Sequence, residues 1–220
     1  MGSISQQAQI QPWIENNKKK MDYSNRYQAN FTKGGLMVLE SRIVADLLLR
    51  GVDAAEWKQA IEIENILSKR SLTTASTKAA LIRNRLQTMS DGLWRLVRDG
   101  SKPVATHAVF AATINYSPLL GDFLDLVVRD LYCRFEDRLK PQHWDRYLEE
   151  CRSRDPAMHE WTHSTQDKLR TRVFGMMTEA GYLSDSRTRI LKPVHISPEV
   201  VRYLKDSGED YALRCMQVTQ

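Results

Sequence analysis

Leu169, Val173, Met176, Met177 and Ala180 recur at helical spacing after Thr165, while Thr165, Lys168 and Arg172 fall on another face with Thr171 beside them. That is the pattern of an amphipathic helix with a basic outer side. Gly181 follows as a stop, because glycine accepts a left-handed backbone at no steric cost. Tyr182-Leu183 reads as the start of a strand, Ser184-Asp185-Ser186-Arg187 as a turn, and Thr188 to Ile196 as a return strand ending before Ser197-Pro198. Upstream, Asp155-Pro156 is an N-cap followed by proline, predicting a short helix over 156–163, and Ser164-Thr165 caps the next one. A short helix, a turn, a second helix and a two-stranded basic tip form the order of a winged helix. Such a domain lays its second helix in a DNA groove and rests its wing on the phosphates. A helix before a hairpin also occurs in many other folds, and two or three cations on a helix are often only a solvated face.

Between Gly35 and Leu148 the period is helical throughout. Leu36, Leu39, Ile43, Leu47 and Leu48 make an apolar face ending at Gly51, and Asp53-x-x-Glu56 resembles a capping box ahead of Trp57, Ala60, Ile61 and Leu67. Thr74 or Ser76 opens a helix with Ala79, Ile82, Leu86 and Met89 inward and Lys78, Arg83 and Arg85 elsewhere. Further helices start at Ser90, at Pro103, at Ser117-Pro118 (a long apolar one reaching Phe135) and at Pro141. The fold class expected is mainly α: a helical bundle with a C-terminal winged-helix-like segment carrying a short β-hairpin. A boundary near Leu139-Lys140-Pro141 divides a polar extension (1–30) and a helical domain (31–140) from a winged-helix-like domain (141–220). In the extension, Ile10, Trp13 and Ile14 are candidates for docking and Lys18-Lys19-Lys20 for phosphate contact or plain solvation.

Composition narrows the class. With 220 residues, 42% hydrophobic and 27% charged, the chain is long enough for a substantial core and ordinary for a soluble protein. The longest apolar run, Ile43 to Leu49, is broken by Asp46, so no segment spans a bilayer, and no signal peptide is evident. Cys133, Cys151 and Cys215 are few, odd in number and far apart, which fits reduced thiols and a cytoplasmic location.

Charge is segregated. Ser164 to Lys192 holds Lys168, Arg170, Arg172, Arg187, Arg189 and Lys192 against three acids, whereas the preceding Gln142 to His163 is acidic on balance. A second basic stretch contains Lys69, Arg70, Lys78, Arg83 and Arg85 with no acid between Glu64 and Asp91. Two such stretches are the electrostatic footprint of a nucleic-acid binder.

Catalytic patterns fare worse. His159-Glu160-Trp161-Thr162-His163 fits H-E-x-x-H, but a zinc protease needs both histidines on one helix face and a third ligand, and no second histidine follows at the required spacing. His143 and Cys151 lie two helical turns apart, too far for a nucleophile and its base. Gly34-Gly35 lacks the Lys-Ser/Thr of a phosphate loop. Trp57, Trp94 and Trp144 read as core rather than stacking platforms. No catalytic residue, cofactor or metal is expected, and the protein reads as non-enzymatic.

The stretch Tyr27 to Leu49 resembles the opening of the BrxA family of the BREX phage-exclusion system. So do Glu64-Asn65 with Lys69-Arg70-Ser71, the Thr77 to Leu86 helix with Arg83-x-Arg85, and Glu179-Ala-Gly-Tyr-Leu183. The resemblance implies a cytoplasmic, mostly helical fold similar to the antitermination factor NusB. It also implies binding of double-stranded DNA among other BREX proteins, where a methyltransferase marks host DNA, with no transferable catalytic activity, membrane attachment or small-molecule substrate. The DNA-contacting residues expected are Lys168, Arg170, Arg172, Thr165 and Thr171 on the helix, Arg187, Arg189 and Lys192 on the wing, and Lys69, Arg70, Lys78, Arg83 and Arg85 as a second surface. Because nothing matches a dedicated base-reading set, low sequence specificity is expected. The rival readings are an RNA-binding NusB-like module and a protein–protein adaptor.

Overall fold

The computed structural model describes residues 26–219, so the expectations for Ile10, Trp13, Ile14 and the lysine triplet lie outside the described residues. The chain is mainly helical. Helix α1 (Val38–Arg50) ends where Gly51 takes φ 65° and donates its N–H back to Leu47 and Leu48. The expected capping box starts α2 (Ala54–Lys58): Asp53 accepts from the N–H of Ala55 and Glu56, and Glu56 accepts from the N–H of Asp53. A π-helical turn over Gln59–Ile63 continues it. Helix α3 (Leu72–Leu86) begins slightly earlier than Thr74, capped by Ser71.

Helices α4 (Asp91–Asp99) and α5 (Lys102–Tyr116) follow. Every residue of α5 from Val104 to Ile114 is buried, which marks it as the helix around which the others assemble. Helix α1 packs on α3 and α4, and all three pack on α5. The long helix expected after Ser117 forms as α6 (Pro118–Asp122), a π-helical segment (Phe123–Val128) and α7 (Arg129–Cys133). Helix α8 (Pro141–Arg154) brings Trp144 and Tyr147 onto Phe123, with ring centroids 5.0 and 5.2 Å apart. Helix α9 (His163–Glu179) is the basic helix, and α10 (Pro198–Asp206) and α11 (Asp210–Met216) close the chain. The buried apolar side chains form one cluster running from Tyr27 to Val218. No helix among the described residues is long and apolar enough to cross a membrane.

The winged-helix expectation is corrected in two places. The helix expected over 156–163 does not form: Asp155 is buried, accepts from the N–H of Ala157 and holds a single turn through Met158. Met158 and Trp161 then point inward from an irregular segment, and Thr162 caps α9. The hairpin is likewise not a strand pair. The described residues contain only isolated bridges, Leu183 with Leu191 and Arg138 with Ile190. Arg189 takes φ 53°, which breaks extended geometry, and Pro193 has no N–H to give. A third segment takes part instead: Leu139 N–H donates to Arg189 and Leu191 N–H to Asp137. Residues 137–139, next to the expected boundary at Leu139-Lys140-Pro141, are thus built into the basic tip.

Asp122 gathers distant parts of the chain. Its carboxylate accepts from the Arg26 guanidinium (3.0 Å), the Tyr27 hydroxyl (2.8 Å) and the Tyr211 hydroxyl (2.7 Å).

Candidate nucleic-acid interface

Helix α9 buries Leu169, Val173, Phe174, Met176 and Met177 and turns its opposite side to solvent. Lys168 and Arg172 stand there, exposed and one turn apart, with Ser164, Asp167 and Thr171 around them. Lys168 has no hydrogen-bond or ion-pair partner among the described residues, and Arg172 reaches only the Thr32 carbonyl, at 3.4 Å. Arg170 is placed differently. It is half-buried and clamped between Asp145 of α8 (2.8 Å) and Asp167 (2.7 Å), so its charge is neutralised. Thr165 shares a hydrogen bond with the capping Thr162, and the Thr171 hydroxyl donates to the Asp167 carbonyl.

The tip is held by Asp185, which accepts from the N–H groups of Arg187 and Thr188 and from the Thr188 hydroxyl. Those bonds keep its carboxyl well below the usual carboxylate range. Arg187 and Lys192 point outward, exposed. Arg189 braces the tip: its guanidinium lies 5.9 Å from the Phe174 ring centroid and donates to the carbonyls of Leu139 and Ser186.

The second basic stretch divides as well. Arg85 is 1% exposed, with its two terminal nitrogens on the carbonyls of Gly35 (2.7 Å) and Gly34 (3.3 Å) and its Nε without a partner. No carboxylate balances it, and burial pushes its pKa down to about 10. It cannot reach a phosphate. Lys69 is paired with Glu40 at 2.7 Å. Burial would raise the Glu40 carboxyl, but Lys69, a backbone N–H and nearby Lys78 together hold it below the ordinary value. Arg83 lies 4.7 Å from the Trp57 ring centroid. Arg70 is exposed and Lys78 half-exposed, and neither is tied to an acid by an ion pair among the described residues.

What joins the two stretches is a loop. Residues 32–37 run past both α9 and α3: Arg172 meets Thr32, and Arg85 holds Gly34 and Gly35. A Cβ on Gly34 would stand 2.6 Å from the Cε of Met37 in the same loop and in ordinary contact, 3.5 Å, with Leu81 of α3. Lys33, exposed, sits on this loop next to Thr32, which Arg172 meets. Sequence reasoning missed it, since a lone lysine beside a Gly-Gly pair carries no periodic signal. Beside the loop, Met37, Leu39, Lys102 and Glu179 line a recess of about 450 Å³. Burial and the neighbouring Glu40 charge raise the Glu179 carboxyl.

The other candidate chemistry is not assembled. His159 and Glu160 precede α9, whose first residue is His163, so the H-E-x-x-H residues do not share a helix face. No group of three His, Cys, Asp or Glu among the described residues is placed to hold a metal. Burial raises the Cys151 thiol to about 11 and the Cys215 thiol to about 12, leaving both protonated at neutral pH.

The BrxA family profile matches residues 25–208. A relative described as "BREX protein BrxA" from Paramagnetospirillum magneticum is 52% identical over 194 residues, which is 88% of this chain and 98% of that one. Another of the same description from Escherichia coli is 34% identical over 176 residues, 80% of this chain and 83% of that one. A crystal structure described as an uncharacterized protein from Magnetospirillum magneticum superposes with a TM-score of 0.83 and 51% identity, covering 88% of this chain and 99% of that chain.

Proposed function

The chain belongs to the BrxA family, and we propose that it serves BREX phage defence as a non-enzymatic, cytoplasmic protein that binds double-stranded DNA with little regard for sequence, alongside other BREX proteins. The observation that carries this reading is the set of exposed or half-exposed cations that make no ion pair among the described residues, Lys168 and Arg172 on α9, Lys33 on the loop, and Arg70 and Lys78 on the second stretch. Arg187 and Lys192 extend the set at the tip. Arg85, Arg170 and Arg189, engaged internally, support these groups rather than touch phosphate. Exposed cations of this kind neutralise phosphates and release counterions, a sequence-independent term. Base-edge readers are absent from the set, so specificity is low.

The test is a titration of the full chain with duplexes of unrelated sequence over a range of salt. Log affinity falls linearly with log salt, and the slope reports several phosphates. Similar affinities across sequences are expected, with RNA hairpins and single strands competing poorly. Binding that ignores salt, or prefers RNA hairpins, overturns the reading.

A further inference from the structure

Phe135 is the most exposed of the large hydrophobic side chains among the described residues, at 95%. Helix α7 ends in a two-bond closure in which the Phe135 N–H donates to Tyr132 at 3.0 Å and the Glu136 N–H donates to Leu131 at 2.9 Å. The residue at that bend takes φ 56°, in the left-handed region. Glycine is usual there, and asparagine is tolerated, because a side chain on Cβ crowds the backbone. An aromatic residue is strained at this point, and its ring is 95% exposed, so no packing offsets the strain.

Two of the other left-handed positions among the described residues have a local reason. Asn65 exchanges two hydrogen bonds with the Lys69 backbone, and Arg189 braces the tip. Glycine at 135 would relieve the strain and hide an apolar surface, so the ring acts outside the chain.

Its surroundings indicate on what. Three residues further, Arg138 bridges Ile190, itself 39% exposed, on the tip that also carries Arg187 and Lys192. The immediate neighbours Arg134, Glu136, Asp137 and Arg138 are polar and charged. A protein interface needs about 800 Å² on each side, far more than one ring among charges supplies. Arg134 and Arg138 are paired with Asp130 and Asp137, so the cations offered to phosphate are Arg187 and Lys192 of the adjoining tip. An exposed aromatic ring next to such a tip matches the wedges that enter between base pairs when a duplex is bent.

We propose that Phe135 inserts between stacked base pairs of duplex DNA while the tip cations hold the flanking phosphates. The proposal rests on the DNA-binding reading above and is tested separately from it. Phe135→Gly folds and melts at or above the wild-type temperature, since it removes a strained residue. Its affinity for a duplex falls about 5- to 100-fold, the range for losing an aromatic–base contact. The salt slope is unchanged, because no charge has been removed. A fluorescent base analogue in the duplex, which brightens on unstacking when the wild type binds, stays dim with Phe135→Gly and with Phe135→Asn and brightens again with Phe135→Trp. Unchanged affinity and unstacking in Phe135→Gly overturn the wedge while leaving the phosphate surface standing. Loss of capture by another BREX protein, with duplex binding intact, overturns it in favour of a protein contact. A wild-type chain that binds no duplex removes the DNA reading itself.

Discussion

The two basic stretches look alike as sequence and behave oppositely as structure. On α9, Lys168 and Arg172 point to solvent, and only the third cation, Arg170, is held by acids. Along 65–90 the proportions reverse: Arg85 is buried, Lys69 is paired and Arg83 lies over Trp57, leaving Arg70 and Lys78. Counting cations in a window therefore overstates a binding surface wherever a cation has a structural task. The sites differ in kind. A buried guanidinium is tied to stability, and an exposed one to long-range attraction that salt weakens.

That contrast is broken most sharply at Arg85. Arg85→Ala leaves two loop carbonyls unpaired and opens a cavity, so unfolding by denaturant should show a loss of about 3 kcal/mol or more. Its salt dependence of DNA binding should stay near wild type in whatever fraction folds. The opposite result is expected for Lys168→Ala with Arg172→Ala. Stability moves by about 0.5 kcal/mol or less, while duplex affinity drops roughly tenfold and the salt slope becomes shallower by about 2. A double variant that binds as well as wild type would remove α9 from the interface. Lys69→Ala comes next: it strands Glu40 and costs about 1 kcal/mol, measurable as a shift in the denaturant midpoint. Lys33→Ala flattens the salt slope by about 1 without moving that midpoint.

The smallest effect is a pH dependence inside the scaffold. His107 is buried and its Nδ1 accepts the Ser197 N–H at 3.1 Å, so the ring is neutral and burial lowers its pKa. The unfolded chain takes up a proton near pH ~6.5 and the folded chain does not. Stability is therefore full above that pH and declines as the pH falls through it towards the depressed native value. Midpoints measured on either side, compared with His107→Asn, check the sign.

Much of the helical scaffold was legible because its signals are local. Gly51, the Asp53–Glu56 box and the five-residue apolar face of α9 each act within a few residues. The failures were non-local. Asp155-Pro156 carries a helix-start signal, yet the Asp155 side chain and the inward Met158 and Trp161 hold that stretch in irregular form. The tip alternates like a hairpin, but its partner segment, 137–139, lies far upstream, with Leu139 meeting Arg189, 50 positions later. The Ser197-Pro198 pair that ends the expected strand is also the start of α10, with α11 following it. In the candidate interface, residue types were legible and their engagement was not. Nothing in the order Arg83-Asn84-Arg85 says which guanidinium turns inward.

The Asp122 cluster has a bearing on how the protein is made. One carboxylate takes donors from Arg26 and Tyr27 and, 89 positions beyond itself, from Tyr211. During synthesis the Arg26 and Tyr27 donors are made before Asp122, but the Tyr211 hydroxyl follows only after the helices between them. Closure of the cluster thus waits for Tyr211, and a nascent chain stalled short of it should leave the Asp122 region open to protease.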